Sequence, residues 1–385
     1  MRPVWVAVLV TAWALPRVAR SEGSVRIGVI NSMTGPDAPI GEHLTNGIKL
    51  AQEELERRGI RVELVWEDDA SRPQAAAAAF EKLATRDQVA GVVGPYTSGA
   101  AAAVSKLVER HRLPTLLPTA IGEELTRQGN TWLFRLNAPA HTFVSVLVEA
   151  ALALERPRTL AVVFENNEFG ASIAKMGRQY AESKGLRVVS SLPFPANGSG
   201  ARAAISEVKA QSPDLVLMAA HATDALSLMR QAREVGLSPM LFLGAGAGFS
   251  VPRFAEEQSL SRGVLTSTQW TGEVPWPGAK EFAAKYRSRF GKGPTYHAAC
   301  AYQAAIIMAT TAAGVGGDRE KVQAALRRGI WDGLMGPVKF SDYDGFTNQN
   351  NHVVLVEQVQ EGGFTTVFPR GYASRDAIHP FPGWK

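Results

Sequence analysis

The chain has 385 residues, 45% of them hydrophobic, which is enough for more than one domain-sized core, and its glycine and proline contents do not predict disorder. Without Arg2, Arg17 and Arg20, which lie in the first 21 residues, 38 basic residues face 36 acidic ones. So small a net charge, without clustered lysine and arginine, argues against nucleic acid as the main partner.

The N-terminal stretch MRPVWVAVLVTAWALPRVARSEGS has the pattern of a secretory signal peptide. Arg2 gives a basic start, and residues 4–15 form an apolar run of 12 residues, which is short for a membrane span. We expect residues 1–21 to be a signal peptide that is cleaved before Glu22. A buried N-terminal helix or an uncleaved anchor would show a similar pattern.

From residue 24 onward, strands and helices alternate. The first half predicts strands at residues 24–32, 61–70, 89–94, 114–119 and 132–136, with helices at 41–59, 72–87 and 98–111. The pattern restarts after residue 143, with helices at 144–154, 169–185, 200–211 and 223–236 and strands at 159–166, 186–194, 213–221 and 239–246. The segment 263–270 leads to helices at 278–291, 296–314 and 320–329, and residues 336–369 predict a hairpin-like tail that turns at 342–350. These two units predict an α/β protein with two lobes, each a doubly wound parallel sheet.

The stretch VAGVVGPYTSGAAAAVSK places two hydroxyl residues between a buried strand and a helix. Parallel α/β sheets bind ligands beyond the carboxyl ends of their strands, so two facing sheets would make a cleft there. Thr97 and Ser98 lie at such an end, where the first amides of the next helix have no partners within the helix. Either these groups receive an anion, or one of the two hydroxyls caps its own helix; the position alone does not decide.

Other strand ends would line the same cleft. Thr119 and Ala120 follow a strand and would place a hydroxyl and backbone groups there, although an ordinary loop has the same pattern. Phe169 and His221 follow strands of the second half and would face the cleft, although a single histidine is more often structural. The pair Asp68–Asp69 also ends a strand, and we interpret it as a solvated turn.

The sequence lacks the patterns of common catalytic and metal sites. The single cysteine, Cys300, excludes a disulfide within the chain and a cysteine-based metal cluster, and it is typical of a small core residue. No histidine pair has helical metal-ligand spacing, and no serine lies in a G-x-S-x-G motif. We therefore expect no metal, no cofactor and no catalytic residues.

Seven stretches occur in an order and spacing that together resemble one family: IGVINSMTGPDAPIGEHLTNGIKLAQEE, WEDDASRPQAAAAAFEKL, VVGPYTSGAAAAVS, LPTLLPTA, NNEFG, LMRQAREVGL and LMGPVKF. Over residues 24–370 the chain resembles the type I periplasmic binding proteins, specifically the leucine/isoleucine/valine-binding branch that serves ABC importers. The resemblance implies a periplasmic, monomeric, non-enzymatic protein that closes on a small solute and delivers it to the permease subunits of an ABC transporter. A periplasmic sensor that signals to a partner kinase or regulator would have the same fold, and an enzyme using the cleft is the third possibility.

The resemblance also implies a set of ligand contacts. Ser98 matches the serine that holds the ligand's carboxylate, with the amides of residues 96–99 beside it. Thr119 and Ile121 match positions that contact the ligand through backbone and a hydroxyl, Phe169 matches an aromatic residue that closes from the second lobe, and His221 stands where the family often has tyrosine. The full set of expected ligand-binding residues is Ile40, Tyr96, Thr97, Ser98, Thr119, Ala120, Ile121, Phe169, His221, Gly246, Tyr296 and His297.

Three departures from the family pattern bear on the ligand. Gly246 stands where amino-acid binders have an acidic residue that pairs with the ligand's ammonium, Ile121 replaces a hydroxyl residue, and Ser71 and Thr97 occupy the positions of a family disulfide. An unpaired ammonium in a closed cleft is costly. We therefore expect a solute with a carboxylate or amide but without an ordinary α-ammonium, so that aromatic or aliphatic carboxylates and amides fit better than leucine.

The resemblance also divides the chain. We expect residues 24–137 and 268–345 to form lobe I, residues 138–267 and 346–370 to form lobe II, and residues 371–385 to be a C-terminal tail. Hinges are expected near residues 136–139, 266–268 and 344–351.

Overall fold

The computed structural model describes residues 24–195, 200–221 and 224–384. Over these ranges the strands are β1 (Val25–Asn31), β2 (Val62–Asp68), β3 (Gly91–Val93), β4 (Thr115–Leu117), β5 (Leu133–Arg135), β6 (Thr159–Glu165), β7 (Arg187–Phe194), β8 (Leu215–Ala219), β9 (Leu241–Ala245), β10 (Leu265–Thr268), β11 (Phe340–Tyr343), β12 (Phe346–Asn350), β13 (Leu355–Gln360) and β14 (Gly363–Phe368). The helices are α1 (Ala38–Arg57), α2 (Pro73–Thr85), α3 (Ser98–His111), α4 (Ala140–Leu154), α5 (Glu168–Ser183), α6 (Ala201–Ala210), α7 (Ala225–Val235), α8 (Pro252–Glu256), α9 (Gln258–Ser261), α10 (Ala279–Phe290), α11 (Tyr296–Gly314) and α12 (Arg319–Arg328). Short 3-10 turns lie at Glu123–Thr126 and Ala247–Phe249.

The described strands form two seven-stranded sheets, which confirms the predicted two-lobe α/β fold. The first sheet has the order β11-β12-β5-β4-β3-β1-β2, and the second has the order β14-β13-β10-β9-β8-β6-β7. The central pairs of both sheets are parallel, and antiparallel strands occur only toward one edge of each described sheet. We call the first sheet with its helices the first lobe, and the second sheet with its helices the second lobe.

The first lobe is covered on both faces because its strands alternate apolar side chains between them. Ile27 and Val29 of β1 belong to the core that includes α1 and α11, while Ile30 belongs to the core under α2 and α3. Helices α1 and α11 approach closely at Gly47, where a Cβ atom would overlap the backbone of Ala298. A glycine is therefore required at that contact.

In the second lobe, α4 and α5 share one core with the sheet, and α6 and α7 lie over the other face. The C-terminal segment, expected to be a tail, packs on this lobe. The Ile378 amide donates to Gln358 Oε1 at 2.7 Å, and Gln358 Nε2 donates to the Ile378 carbonyl at 2.7 Å. The Phe381 ring meets the Phe242 ring edge-on with centroids 5.0 Å apart.

The described chain passes between the two sheets three times, after β5, after β10 and after β12. Side-chain amides tie these crossings together. Gln349 Nε2 donates to the Asn137 carbonyl at 2.7 Å, and Asn350 Nδ2 donates to the Leu136 carbonyl at 2.8 Å. Gln269 Oε1 accepts the Ala138 amide at 3.2 Å, so each crossing contacts another.

The C-terminal strands differ from the single hairpin that the sequence predicts. Phe346–Asn350 is strand β12 rather than part of a turn, and it pairs with β11 and with β5 of the first sheet. Residues 346–350 therefore lie in the first sheet, whereas we expected them in lobe II. A second hairpin, β13–β14, joins the other sheet, and alternation of apolar residues alone does not reveal which sheet a strand enters.

The expected signal peptide, residues 1–21, lies outside the described residues. In the part of the chain that the structure describes, none of the helices has the length and apolar character needed to span a bilayer.

The packing of the C-terminal segment predicts that Phe381→Ala lowers the free energy of unfolding by about 2–4 kcal/mol, because a buried aromatic ring is removed from a core. The matched control is Ile330→Ala, which truncates a side chain that is 69% exposed and should change stability by less than about 0.5 kcal/mol. Chemical denaturation followed by circular dichroism measures both. Equal stability of the two variants would contradict the packing role of this segment.

Candidate functional site

A cavity lies between the two lobes where the carboxyl ends of their parallel strands meet. Its lining consists of Tyr96, Thr97, Ser98, Thr119, Ala120, Ile121, Phe169, His221, Gly246, Ala247, Tyr296 and His297. Together with the space open to solvent at its mouth, it contains about 300 Å³ that is free of protein atoms. The structure thus brings together all the expected ligand-binding residues except Ile40, and it adds Ala247.

The two lobes contact each other beside the cavity. The Glu123 amide of the first lobe donates to Ser172 Oγ of α5 at 3.0 Å, and Lys175 Nζ of α5 lies 3.4 Å from Glu124 Oε1. Glu123 also accepts from His141, whose Nδ1 lies 2.9 Å from Glu123 Oε1. Ser98 is 3% exposed and Phe169 is 5% exposed, whereas the side chain of His221 is 18% exposed.

The start of α3 supplies hydrogen-bond donors to the cavity. Thr97 is the N-cap residue, and its hydroxyl accepts the Ala100 amide at 3.2 Å. The amides of Ser98 and Gly99 belong to the first turn and have no partner within the helix. Ser98 Oγ accepts the Gly122 amide at 3.0 Å, so its own proton is available to a group in the cavity. Thr97 therefore caps its own helix, and the binding of an anion by Ser98 stays a prediction.

The segment after β4 adds a second hydroxyl. The Thr119 carbonyl accepts Asn137 Nδ2 at 2.7 Å, and the Ile121 carbonyl accepts the Ala140 amide at 2.8 Å. These carbonyls serve the crossing between the lobes, whereas Thr119 Oγ1 is buried without a partner among the described residues. A buried hydroxyl without a partner is costly, and an occupant of the cavity would remove that cost.

Aromatic rings form much of the wall. The Tyr296 and His297 rings are stacked with centroids 3.8 Å apart, and Tyr96 meets His297 edge-on at 5.6 Å. Burial holds the pKa of His297 well below its usual value, so this ring is neutral. Its buried Nδ1 has no hydrogen-bond partner in the described part of the chain, which leaves one more polar atom for an occupant.

His221 is the charged group of the wall. Its Nδ1 hydrogen-bonds Glu165 Oε2, and its backbone amide donates to Glu165 Oε1 at 2.5 Å. Burial opposes the imidazolium, but the hydrogen bond and charge of Glu165, with the charges of Asp37 and Asp224, raise the pKa of His221 to about 9. Glu165 ends β6 and His221 follows the adjacent parallel strand β8, so the sheet itself brings the pair together.

Gly246 cannot carry the acidic side chain that amino-acid binders have at this position. Its φ of +99° lies in a region that side-chain-bearing residues rarely adopt. A Cβ atom there would also overlap Phe169 Cζ and lie 2.9 Å from the Ala220 carbonyl oxygen. The Phe169 ring therefore occupies the space that a carboxylate would need.

Two acidic residues near the cavity were not expected from the sequence. Glu165 is one of them. The sequence feature that could have identified it is its position as an acidic residue at the end of the apolar strand TLAVVFE. Asp37 precedes α1, and burial raises the pKa of its carboxyl group, which interacts electrostatically with His221 and Glu165. Its amide donates to Ser71 Oγ at 3.0 Å.

The pair Asp68–Asp69 holds the loop that carries Asp37, and our interpretation of a solvated turn is wrong for Asp69. Asp69 is fully buried and accepts Ser32 Oγ at 2.7 Å. Asp68 accepts the Met33 amide at 2.9 Å. The two carboxylates accept hydrogen bonds from loop groups that would bind water if the turn were exposed.

Ile40 lies outside the cavity. It is buried in a neighbouring groove between α1 of the first lobe and α7–α8 of the second lobe, with about 1650 Å³ of empty space. Cys300 is fully buried, as expected for a core residue, and no grouping of potential metal ligands is present among the described residues.

Comparisons with known proteins agree with this architecture. The sequence model of the family described as "Periplasmic binding protein" matches residues 24–363. The chain is 26% identical over 383 residues to the Leu/Ile/Val-binding protein homolog 7 of Brucella melitensis biotype 1, covering 94% of this chain and 95% of that protein. The leucine-binding protein LivK of Thermotoga maritima MSB8 superposes with a TM-score of 0.80 at 22% identity, covering 89% of this chain and 97% of that one. A solute-binding protein of an ABC transporter from R. palustris, solved with benzoate, gives a TM-score of 0.80 at 19% identity, with 92% and 98% covered.

The ion pair of His221 predicts a measurable titration. NMR of the histidine rings should show His221 losing its proton near pH 9, and Glu165→Gln should lower that pKa, because burial then acts without the main counter-charge. Since the folded pKa exceeds the ordinary 6.5, the pair stabilises the fold fully below pH 6.5 and loses this effect as pH rises through about 9.

The control for this titration is Glu155→Gln. Glu155 Oε1 lies 3.0 Å from Nδ1 of the more exposed His379, so this variant removes a histidine–carboxylate pair away from the cavity and should leave the titration of His221 unaltered. A His221 ring that titrates near pH 6.5 in the unmodified protein would contradict the geometry of the pair.

Proposed function

The chain belongs to the periplasmic binding protein family, and from that premise we propose that it is the solute-binding protein of an ABC importer that captures a small solute bearing a carboxylate or an amide. One observation carries this proposal: the closed cavity between the lobes is lined by the donors of the α3 start and by Ser98. A receptor that encloses its solute needs such donors, because a polar group removed from water must find new partners.

The carboxylate or amide of the solute lies at the start of α3. The partial positive charge of a helix N-terminus favours an anion, and the amides of Ser98 and Gly99 and the hydroxyls of Ser98 and Thr119 are donors. Hydrogen bonds to a charged group contribute roughly 1.5–3 kcal/mol each. A few such hydrogen bonds, together with burial of the solute against Phe169 and the tyrosines, give a binding free energy of about −8 kcal/mol, which corresponds to micromolar affinity.

The solute lacks an ordinary α-ammonium. The crowding at Gly246 excludes the side-chain carboxylate that would pair with it. The relatives named above bind leucine or benzoate according to their names, so the family accepts both zwitterions and simple acids. Without that carboxylate, a simple acid is the better match for this cavity.

Closure of the two lobes around the solute is the working motion. The crossings after β5, β10 and β12 serve as hinges, and they separate residues 24–137 and 269–350 from residues 138–268 and 351–384. Contacts such as those of Glu123 with Ser172 and His141 join the lobes only when they are close. A solute that touches both lobes shifts the population toward this closed form.

Membership of the family supports a compartment, an oligomeric state and a partner for this protein. The protein works in the periplasm after removal of residues 1–21, as a monomer, and the permease subunits of the importer recognise its closed form. The large exposed apolar side chains of the described residues, Met33, Met240 and Ile330, lie on three separate segments, which supports a monomer.

A thermal-shift screen of the mature protein tests the proposal, because a ligand that binds only the folded state raises the melting temperature. We expect benzoate, hydroxybenzoates, 4-methylpentanoate and its amide to include the best ligands, and leucine, isoleucine and valine to bind more weakly. Ser98→Ala should weaken the best ligand by about 10- to 100-fold in calorimetry, because one charge-assisted hydrogen bond is lost.

The matched control is Ser105→Ala in the same helix. Ser105 is also buried, but its hydroxyl donates to the Ala102 carbonyl and it does not line the cavity. This variant should keep the affinity unchanged. Tight binding of leucine without any preference for its deaminated analogue, or an unaltered affinity in Ser98→Ala, would contradict the proposed ligand site.

A further inference from the structure

Building on the proposed function, we infer that His221 donates a hydrogen bond to a neutral oxygen of the solute, so that the solutes of this protein are carboxylic acids with a hydroxyl or carbonyl group at their other end. The start of α3 holds the carboxylate from the first lobe, and His221 holds the second oxygen from the second lobe. The two recognition points lie in the same cavity.

The position of the His221 ring is fixed, which a specific donor requires. Glu165 is 1% exposed, and it holds both Nδ1 and the backbone amide of His221. Asn167 Nδ2 donates to Glu165 Oε2 at 2.8 Å and orients the carboxylate in turn. The Phe169 ring packs on the imidazole with centroids 4.7 Å apart. The ring therefore has little freedom to turn.

One polar atom of the ring remains for the solute. Nδ1 is used by Glu165, and Nε2 has no hydrogen-bond partner among the described residues. Because Nδ1 and the carboxylate hold the ring as an imidazolium, Nε2 carries a proton and acts only as a donor. The partner it needs is an acceptor, which an ammonium group and a hydrocarbon cannot provide.

The charges around His221 decide which acceptor fits. Glu165 already neutralises the imidazolium, and the carboxyl groups of Asp37 and Asp224 add negative potential. A second carboxylate on the solute would meet this potential in a closed cavity and be repelled. A hydroxyl or carbonyl oxygen accepts the hydrogen bond without adding charge. Monoanionic hydroxy and keto acids are therefore favoured over dicarboxylates.

Calorimetry with a series of benzoates tests this inference on the mature protein. The series is benzoate, 3-hydroxybenzoate, 4-hydroxybenzoate, 4-formylbenzoate, terephthalate and 4-(aminomethyl)benzoate. We expect at least one of the hydroxy or formyl compounds to bind about 10- to 100-fold more tightly than benzoate, since a hydrogen bond from a charged donor is gained. Terephthalate and 4-(aminomethyl)benzoate should bind no more tightly than benzoate.

Two variants locate the effect at His221. In Glu165→Gln/His221→Phe, the donor is removed and no buried carboxylate is left unpaired, so the ratio of the affinities for the oxygen-bearing compounds and for benzoate should fall to about 1. His221→Gln retains an N–H donor and should retain part of the preference. Melting temperatures of the variants without ligand report on folding.

The outcomes separate this inference from the proposed function. Equal affinity of benzoate and all three oxygen-bearing compounds, an undiminished preference in the double variant, or binding of none of the six compounds overturns the inference. The proposed function fails instead if Ser98→Ala leaves the affinity of the best ligand unchanged. Loss of the oxygen preference in the double variant, with the Ser98 effect intact, supports both.

Discussion

The whole site depends on one property of parallel sheets: the carboxyl ends of all strands lie at the same edge. In this chain two such edges meet, and residues that are far apart in sequence follow them into one cavity. Ser98 and Thr119 come from neighbouring strands of the first sheet, while His221 and Gly246 come from neighbouring strands of the second. Each lobe alone would present half of this set to water. In the proposed function, affinity for a solute and closure of the lobes would therefore arise from the same arrangement.

Arg135 and His221, two cations among the described residues, show how a polar residue is committed to structure or left for a ligand. Arg135 is fully buried at the crossing, and its donors are used by Gln349 at 2.5 Å, by the Gly122 carbonyl at 2.6 Å and by Thr126 at 2.9 Å. Its guanidinium has three satisfied nitrogens and holds the crossing in place. His221 has one nitrogen held by Glu165 and one nitrogen at the cavity. The two side chains differ in how many hydrogen-bond partners the fold provides for their nitrogens, and residue type alone does not reveal that number.

The sequence predicts the elements of this fold well, because alternating apolar patterns and caps determine them locally. Helix α3, for example, begins and ends at the residues expected, since Thr97 caps it and apolar residues recur along one face. Strand ends also predict most of the cavity. What the sequence does not reveal is which strands are neighbours. Glu165 becomes the partner of His221 only because β6 lies beside β8, and residues 346–350 join the first sheet only because β12 lies beside β5.

The same limit explains Ile40, Asp37 and the C-terminal segment. Ile40 lies on a helix whose rotation about its axis is set by packing against α11, and this packing places the side chain in the neighbouring groove. Asp37 precedes that helix, and its nearness to His221 depends on how the lobes meet. Residues 376–384 follow the last strand, yet Gln358 and Gln360 of β13 hold them at 2.7 and 2.8 Å. In each case the partner is distant in sequence.

The relation between Gly246, Phe169 and His221 suggests how specificity shifts within such a fold. Amino-acid binders of the family, as the resemblance implies, use a carboxylate at the end of the strand equivalent to β9. Here the strand ends in a glycine with φ +99°, and Phe169 fills the space beside it. The charged pair lies one strand away, where β8 adjoins β6, and it presents a donor instead of an acceptor. Under our proposal, a polar group placed one strand away, acting as a donor instead of an acceptor, selects a different solute, while the sheet, the crossings and the α3 start keep the same arrangement.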